Sequence, residues 1–244
     1  MDNPDILSVI AEDVSLLEVE PHIYSVYAAH EKPGAYDGFG AAAIYDRIMC
    51  NPLYNRVMWG YGLKEYTEFT RLILDSSPEG WVLDVACGSL AFTSSLYADY
   101  SDRPVILLDQ SLNLLGKAKA RLVRRKGSVP PNLVFLHADA LNLPFRSGTI
   151  PTVISLNLLH CLEDMEAVLR EWKRVSTAGG SVAATTLIRN NRWGDGYLNV
   201  LSRTDQMFSR GADQLCEVFQ KADLPAELHT RGNLALIHCR KTGG

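Results

Sequence analysis

Through the middle of the chain, short apolar runs alternate with longer stretches whose apolar positions recur every three or four residues. Val82, Leu83 and Val85 are β-formers interrupted only by Asp84, and Ala86, Cys87, Gly88 and Ser89 are then small enough for a tight turn. Leu90, Ala91, Phe92 and Leu96 carry an apolar helical face onward. Further apolar runs at residues 105–108, 133–136, 151–156 and 181–187 read as buried strands. Between them, residues 111–126 place Leu112, Leu115, Ala118 and Leu122 on one helical face, and residues 164–175 read as another helix. Strands alternating with helices predict a parallel, doubly wound (Rossmann-like) α/β sheet. A helix at 212–222, a break at Pro225 and strands at 227–230 and 234–239 around Arg231-Gly232-Asn233 predict an antiparallel C-terminal hairpin. With that hairpin the expected sheet has seven strands.

The first part of the chain lacks this rhythm. Ile6, Val9, Ile10, Val14 and Leu17 sit at loosely helical spacing, and Pro4 suits a first turn. Pro21 closes that stretch, and residues 22–30 follow as a short aromatic-rich helix or strand. Residues 31–40 are loop chemistry, with three glycines, a proline and an aspartate. Helical spacing resumes over 41–59, broken at Pro52, and again over 64–74. Residues 1–65 therefore read as an N-terminal helical cap outside the sheet, on a single domain whose α/β core spans 66–244.

Composition narrows the class. The 244 residues are 47% hydrophobic and 21% charged with a formal net charge of −4, so there is no global pull toward nucleic acid or acidic membranes. No apolar run is long enough for a transmembrane helix. The acidic start argues against a secretory signal, and the five scattered cysteines form no CxxC pair, so a zinc site or disulfide framework is not expected. A cytoplasmic protein fits these features. Six cations lie between Lys117 and Lys126, without interleaved aromatics. They read as a solvated helix end complementing its dipole rather than as a phosphate-binding face.

In a doubly wound sheet the ligand sits beyond the carboxyl ends of the strands. Asp84 and the Gly88 turn, Asp109, Asp139 and Asn157 fall at four such ends. An acid ending the second strand of the core can accept bonds from both hydroxyls of a ribose. Asp139 followed by Ala140 offers a carboxylate and an N–H that match the edge of adenine. Asn157 and the Gly88 turn lie where a charged amino-acid tail can be held by backbone groups. An adenosine-containing ligand follows from these positions, and ACGSLAF lacks the later glycines of the dinucleotide fingerprint, which disfavours NAD.

Taken in order, LDVACGS, VILLDQS, HADALNLPF, VISLNLLHCLED and STAGGSV resemble the motifs of class I S-adenosylmethionine (SAM)-dependent methyltransferases of the UbiE-like and methyltransferase-11 group. The resemblance spans roughly residues 41–224. It implies SAM as cofactor and S-adenosylhomocysteine (SAH) as product. It further implies Asp109 on the ribose, Gln110 beside adenine, Asp139 on the adenine amino group, and Ala86 and Gly88 in the first motif. AAIYDRIMCNPLYN resembles the cap helix of these enzymes, with Tyr45 or Tyr54 at the cofactor's carboxylate. Two positions depart from the family: Leu90 replaces a glycine of the first motif, and Pro151 replaces an acidic residue. Leu90 either turns into the core or partly blocks the pocket.

His160, just after the fourth strand of the core, is the catalytic candidate, since a neutral imidazole can deprotonate a phenol or enol; a structural histidine beside Cys161 is the alternative. RNNRWGDGYLN is a polar loop placed for substrate. The expected function is methyl transfer to a small, partly apolar molecule by a monomer or homodimer without nucleic acid or a membrane span. A SAM-fold protein that transfers no methyl group is the alternative.

Overall fold

The computed structural model describes residues 5–27, 51, 54–190, 192–201 and 207–242. Among the described residues nine strands form one sheet: β1 (Leu17–Glu20), β2 (Ile23–Ser25), β3 (Val82–Val85), β4 (Val105–Asp109), β5 (Leu133–His137), β6 (Ile150–Leu156), β7 (Ser176–Leu187), β8 (Ala226–Arg231) and β9 (Leu234–Arg240). Their order is β1-β2-β5-β4-β3-β6-β7-β9-β8. β2 through β7 are joined by parallel pairs, with β1 antiparallel at one edge and the β8–β9 hairpin antiparallel at the other.

β3, β4 and β5 are buried at every position, as expected of parallel strands covered on both faces. One face carries helices α1 (Lys64–Ser76), α2 (Ser94–Asp99) and α3 (Leu112–Lys126), which pack Phe69, Ile73, Leu96, Leu115 and Leu122 against it. The other carries α4 (Met165–Val175), with Trp172 fully buried; α5 (Arg192–Leu201) follows β7, and α6 (Ala212–Lys221) packs beside α4. Capping explains the sharp helix starts. The Ser111 hydroxyl accepts the Leu114 N–H, and the Asp164 carboxylate accepts those of Glu166 and Ala167. α3 ends where Gly127 turns left-handed, at φ 82°.

Nine strands replace the expected seven because the N-terminal segment enters the sheet. β2 runs parallel to β5 with Ile23 opposite Phe135 and Ser25 opposite His137. Ile23 and Ser25 are buried on β2, whereas all four β1 residues are exposed. Pro21 and His22 (φ 70°) turn the chain between them. The early apolar cluster forms only the 3₁₀ turn Ile6–Ser8, not a helix. Of the expected 41–59 helix, the described residues 54–59 end in a π-helical turn, Asn55–Trp59, stopped by Gly60 at φ 73°.

Two further boundaries differ. The helix after the 86–90 turn begins only at Ser94. The turn expected at 178–180 is an irregularity within β7, whose pairing jumps from Ile150↔Ser176 to Thr152↔Ser181. Pro151 lies beside that jump, at the start of β6 and the opposite end of the strand from Asn157. There it removes no ladder bond that the site depends on.

The β8–β9 turn reaches across the end of the sheet. Asn233 donates its N–H to the Trp59 carbonyl and its side-chain amide to the Ile188 carbonyl and the Asp195 carboxylate. Under this bridge a separate apolar cluster contains Trp59, Tyr61, Tyr66, Leu187, Leu198 and Leu234.

Candidate functional site

β3 lies where the strand order reverses, between β4 and β6, and the loops at its carboxyl end border a crevice on both sides. In the following turn, Ala86, Gly88 and Leu90 are all left-handed, with φ of 56°, 59° and 54°. Only glycine takes this conformation without penalty; a side chain costs about 1–2 kcal/mol. Leu90 is 1% exposed and packs with Ile73, Leu96 and Leu115 in the core. Burying a leucine contributes about 1.5–3 kcal/mol, enough to offset the backbone penalty. Leu90 therefore turns inward and leaves the mouth of the turn clear. A Cβ built on Gly88 meets no described atom within 4 Å.

Asp109, at the end of β4, is fastened to this turn. The Gly88 N–H donates to one of its carboxylate oxygens at 2.8 Å, and the Ser111 N–H donates to the other at 2.9 Å. Asp84 lies within β3 and is 1% exposed. One of its oxygens accepts the Tyr97 hydroxyl at 2.9 Å; the other, Oδ1, is buried with no hydrogen-bond partner among the described residues. Burial pushes its carboxyl up to about 7, opposed by the Tyr97 bond and reinforced by the charge of Asp109. Burial, then Asp109 and Asp84, also raise the Cys87 thiol well above its ordinary value.

Along the β5 side, the Gln110 carbonyl meets His137 Nε2 at 3.1 Å. Asp139, half-buried after β5, accepts the Leu141 N–H at 2.9 Å, and Ala140 beside it packs on the core. Tyr27, beyond β2, has its phenol raised by burial and by the charge of Asp139.

On the β6 side, Asn157 is left-handed (φ 64°) and its amide donates to the Tyr66 hydroxyl at 2.6 Å. Tyr66 and Tyr61 share a 2.7 Å hydroxyl bond, and the Tyr66 ring stacks on Phe92 with centroids 4.4 Å apart. Burial pushes the Tyr66 phenol up to about 12, with its two bonds opposing. Tyr54 is half-buried against this cluster, edge-on to Trp59. Tyr45 lies outside the described residues.

His160 sits in the 3₁₀ turn Leu159–Cys161 after β6. Its Nδ1 accepts the Leu187 N–H at 3.3 Å and lies 3.1 Å from the Thr186 hydroxyl. Burial, and secondarily Arg210, lower it to about 4, so it is neutral at physiological pH. An Nδ1 that accepts a backbone N–H leaves the ring proton on Nε2.

Of the sequence candidates, the structure thus brings Asp84, Ala86, Gly88, Asp109 and Gln110 together at the β3–β4 ends. Asp139 and Ala140 follow at the β5 end, Asn157 and His160 at the β6 end. Sequence reasoning missed Ser25 and His137, although a polar residue closing the apolar run LVFLH is the same signal that marked Asp109. It also missed the Tyr61–Tyr66 pair. No helix of the described residues is long and apolar enough to cross a membrane, and among them no group of three His, Cys, Asp or Glu is placed to hold a metal.

Residues 83–184 match the methyltransferase domain family. An uncharacterised chloroplastic methyltransferase of Arabidopsis thaliana is 31% identical over 135 residues, which are 54% of this chain and 38% of that protein. A demethylmenaquinone methyltransferase of Bacillus cereus is 33% identical over 122 residues, 49% of each chain. The matched part therefore spans half or less of these relatives' own lengths. Among solved structures, phosphoethanolamine N-methyltransferase 2 of Haemonchus contortus, in complex with SAM, has a TM-score of 0.64 at 13% identity over 86% of this chain and 58% of that one. The 4+2 cyclase SpnF has a TM-score of 0.63 at 17% identity, over 87% and 97%. At these identities the likeness speaks to the fold.

Proposed function

We propose that the chain, whose residues 83–184 match the methyltransferase domain family, binds SAM across the ends of β3, β4 and β5 and transfers its methyl group to a small, partly apolar molecule, leaving SAH. The observation that carries this is the left-handed 86–90 turn with the Asp109 carboxylate bonded to its Gly88 N–H. The fit is further supported by the Asp84 oxygen that has no partner among the described residues and by the space in front of Gly88 that no described atom fills.

When bound, the cofactor supplies a methyl group made electrophilic by its sulfonium. The chain's own work is holding and orientation, which can contribute about 7–11 kcal/mol to such a displacement. Asp109 would accept the ribose hydroxyls, while Gln110, Asp139 and Ala140 would border the adenine. Ala86 and Gly88 admit the amino-acid portion close to backbone, with Asp84 and Asn157 nearby. Tyr45 and Tyr54 remain the candidates for its carboxylate. His160 fits a positioning role better than that of a base, because its Nδ1 lone pair already accepts the Leu187 N–H.

We take the acceptor to be a small molecule and the chain to be a cytoplasmic monomer or homodimer, organised as one domain to whose sheet the N-terminal segment adds β1 and β2. Three of the six clustered cations are already engaged, which supports the absence of a nucleic-acid partner. Arg121 donates to the Ser89 carbonyl, Lys126 pairs with Asp99, and Lys119 pairs with Glu20.

Calorimetric titration of ligand-free protein with SAM, SAH and NAD tests the proposal. Micromolar binding of SAM and SAH but not NAD is expected, followed by label transfer from methyl-labelled SAM in an acceptor screen. No binding of SAM or SAH by folded protein sinks it. The likeness to SpnF, a protein of this fold named as a cyclase, favours one second reading: a SAM-binding-fold protein that transfers no methyl group. SAM bound yet never converted to SAH across the screen is its signature.

A further inference from the structure

The N-terminal strand pair lies outside the matched residues 83–184, yet it is wired to the centre of the proposed cofactor site. β2 pairs with β5 so that Ser25 stands opposite His137, and the Val26 N–H bonds the His137 carbonyl. Ser25 is 2% exposed and His137 is 4% exposed. The Ser25 hydroxyl lies 3.0 Å from His137 Nδ1, and His137 Nε2 lies 3.1 Å from the Gln110 carbonyl.

A carbonyl oxygen can only accept, so Nε2 carries the proton. In the neutral ring Nδ1 then accepts, and the Ser25 hydroxyl donates to it. Ser25 has a second acceptor within reach, the Tyr27 carbonyl at 3.3 Å, but the imidazole nitrogen is nearer. The Ser25 oxygen in turn accepts the Tyr27 N–H at 3.1 Å.

The next link is a single peptide group. The Gln110 carbonyl that receives His137 belongs to the same planar unit as the Ser111 N–H, which donates to Asp109 Oδ1 at 2.9 Å. Asp109 Oδ2 receives the Gly88 N–H at 2.8 Å. From Tyr27 N–H through Ser25, His137 and the 110–111 peptide, every donor points toward the Asp109 carboxylate. Donors aligned on a buried anion polarise one another and fix its plane.

We propose that β2 is part of the cofactor site: Ser25 and His137 are positioning residues that hold the 110–111 peptide, and through it Asp109, for the nucleoside. This rests on the SAM-binding reading above. It gives this short N-terminal strand a task beyond extending the sheet.

The test uses the full chain with SAH as probe, read by calorimetry, and amide hydrogen exchange of the ligand-free protein. Losing one neutral hydrogen bond should weaken SAH binding about fivefold in Ser25→Ala, and Ser25→Thr, which keeps the hydroxyl, should stay within about twofold of the native chain. His137→Gln, which keeps a donor, should lose less than His137→Phe. Exchange at Ser111 and Gly88 should quicken in Ser25→Ala while the melting temperature stays near that of the native chain.

Combining Ser25→Ala with Asp109→Asn separates positioning from general support. A device acting through Asp109 adds little once that carboxylate is neutral; independent losses that multiply overturn the proposal. So does unchanged SAH affinity or unchanged exchange in Ser25→Ala. If the native chain binds no SAH, the cofactor reading fails and this inference fails with it. If the native chain binds and Ser25→Ala binds equally well, only the inference fails.

Discussion

On the β4 side of the 86–90 turn, polar groups converge on one charge: Gly88 and Ser111 donate to Asp109, with His137 and Ser25 behind them. On the β6 side, the polar groups are neutral and sit in an aromatic cluster. Asn157 bonds Tyr66, Tyr66 bonds Tyr61, and Phe92 stacks on Tyr66. The first flank is built from strand ends and backbone amides, so its shape follows from the sheet. The second is assembled from side chains of the 54–66 segment, the 187–201 segment and the β8–β9 turn.

Asp84, on the strand dividing the flanks, gives the largest expected effect. Its carboxyl is raised from 3.8 to about 7, so between those values the folded chain holds the extra proton and stability falls as pH rises. His160, lowered from 6.5 to about 4, acts in the opposite sense: stability rises with pH over that window. Asp84→Asn removes the falling limb. Relative to the native chain it should gain up to about 4 kcal/mol between pH 4 and 7, read by urea unfolding across pH. Parallel pH curves for the two proteins would show that Asp84 ionises normally.

Leu90→Gly, which places glycine where the methyltransferases that the sequence resembles carry one, sharpens the contrast between backbone ease and packing. The substitution relieves a left-handed side chain but empties a core position, for a net loss of about 2–4 kcal/mol in unfolding free energy. A more stable variant would mean that the backbone strain outweighs the burial. Asp109→Ala strikes the charged flank and should weaken SAH about 100-fold, the loss expected when hydrogen bonds to a charged group are removed. Tyr66→Phe strikes the other flank. It should cost about 1 kcal/mol of stability, because Asn157 and Tyr61 lose a partner, while SAH affinity stays within about twofold. A large loss of SAH affinity there would erase the distinction between the flanks.

The central strands were legible because burial on both faces makes them continuous apolar runs, as in VILLD and LVFLH. β1 and β2 were not. They are four and three residues long, and β1 is exposed throughout, so backbone pairing rather than a side-chain pattern defines them. Leu90 illustrates a second limit. Its chemistry suits a core residue, but nothing in the letter records a positive φ or the direction in which the side chain leaves the turn. The Gly88–Asp109 pairing was legible as two strand ends facing one crevice. The chain from Ser25 was hidden because it depends on which strand neighbours β5. The Tyr61–Tyr66 bond depends on how a turn meets the first residues of α1.

The β8–β9 turn bears on the order in which the molecule is made. β9 lies between β7 and β8 and pairs with β7 at all seven positions from Ser181 to Leu187. On the ribosome, β7 emerges well before its neighbour, leaving a long apolar edge of unsatisfied amides and carbonyls exposed to other nascent chains. The β3–β4–β5 region can close from segments already synthesised, whereas the Trp59–Tyr66 region waits for Asn233 to dock on Trp59, Ile188 and Asp195. A chain truncated before Leu234 would therefore present an adhesive strand and an unclosed Trp59–Tyr66 cluster. Its fate in the cell would be set by chaperones rather than by its affinity for any ligand.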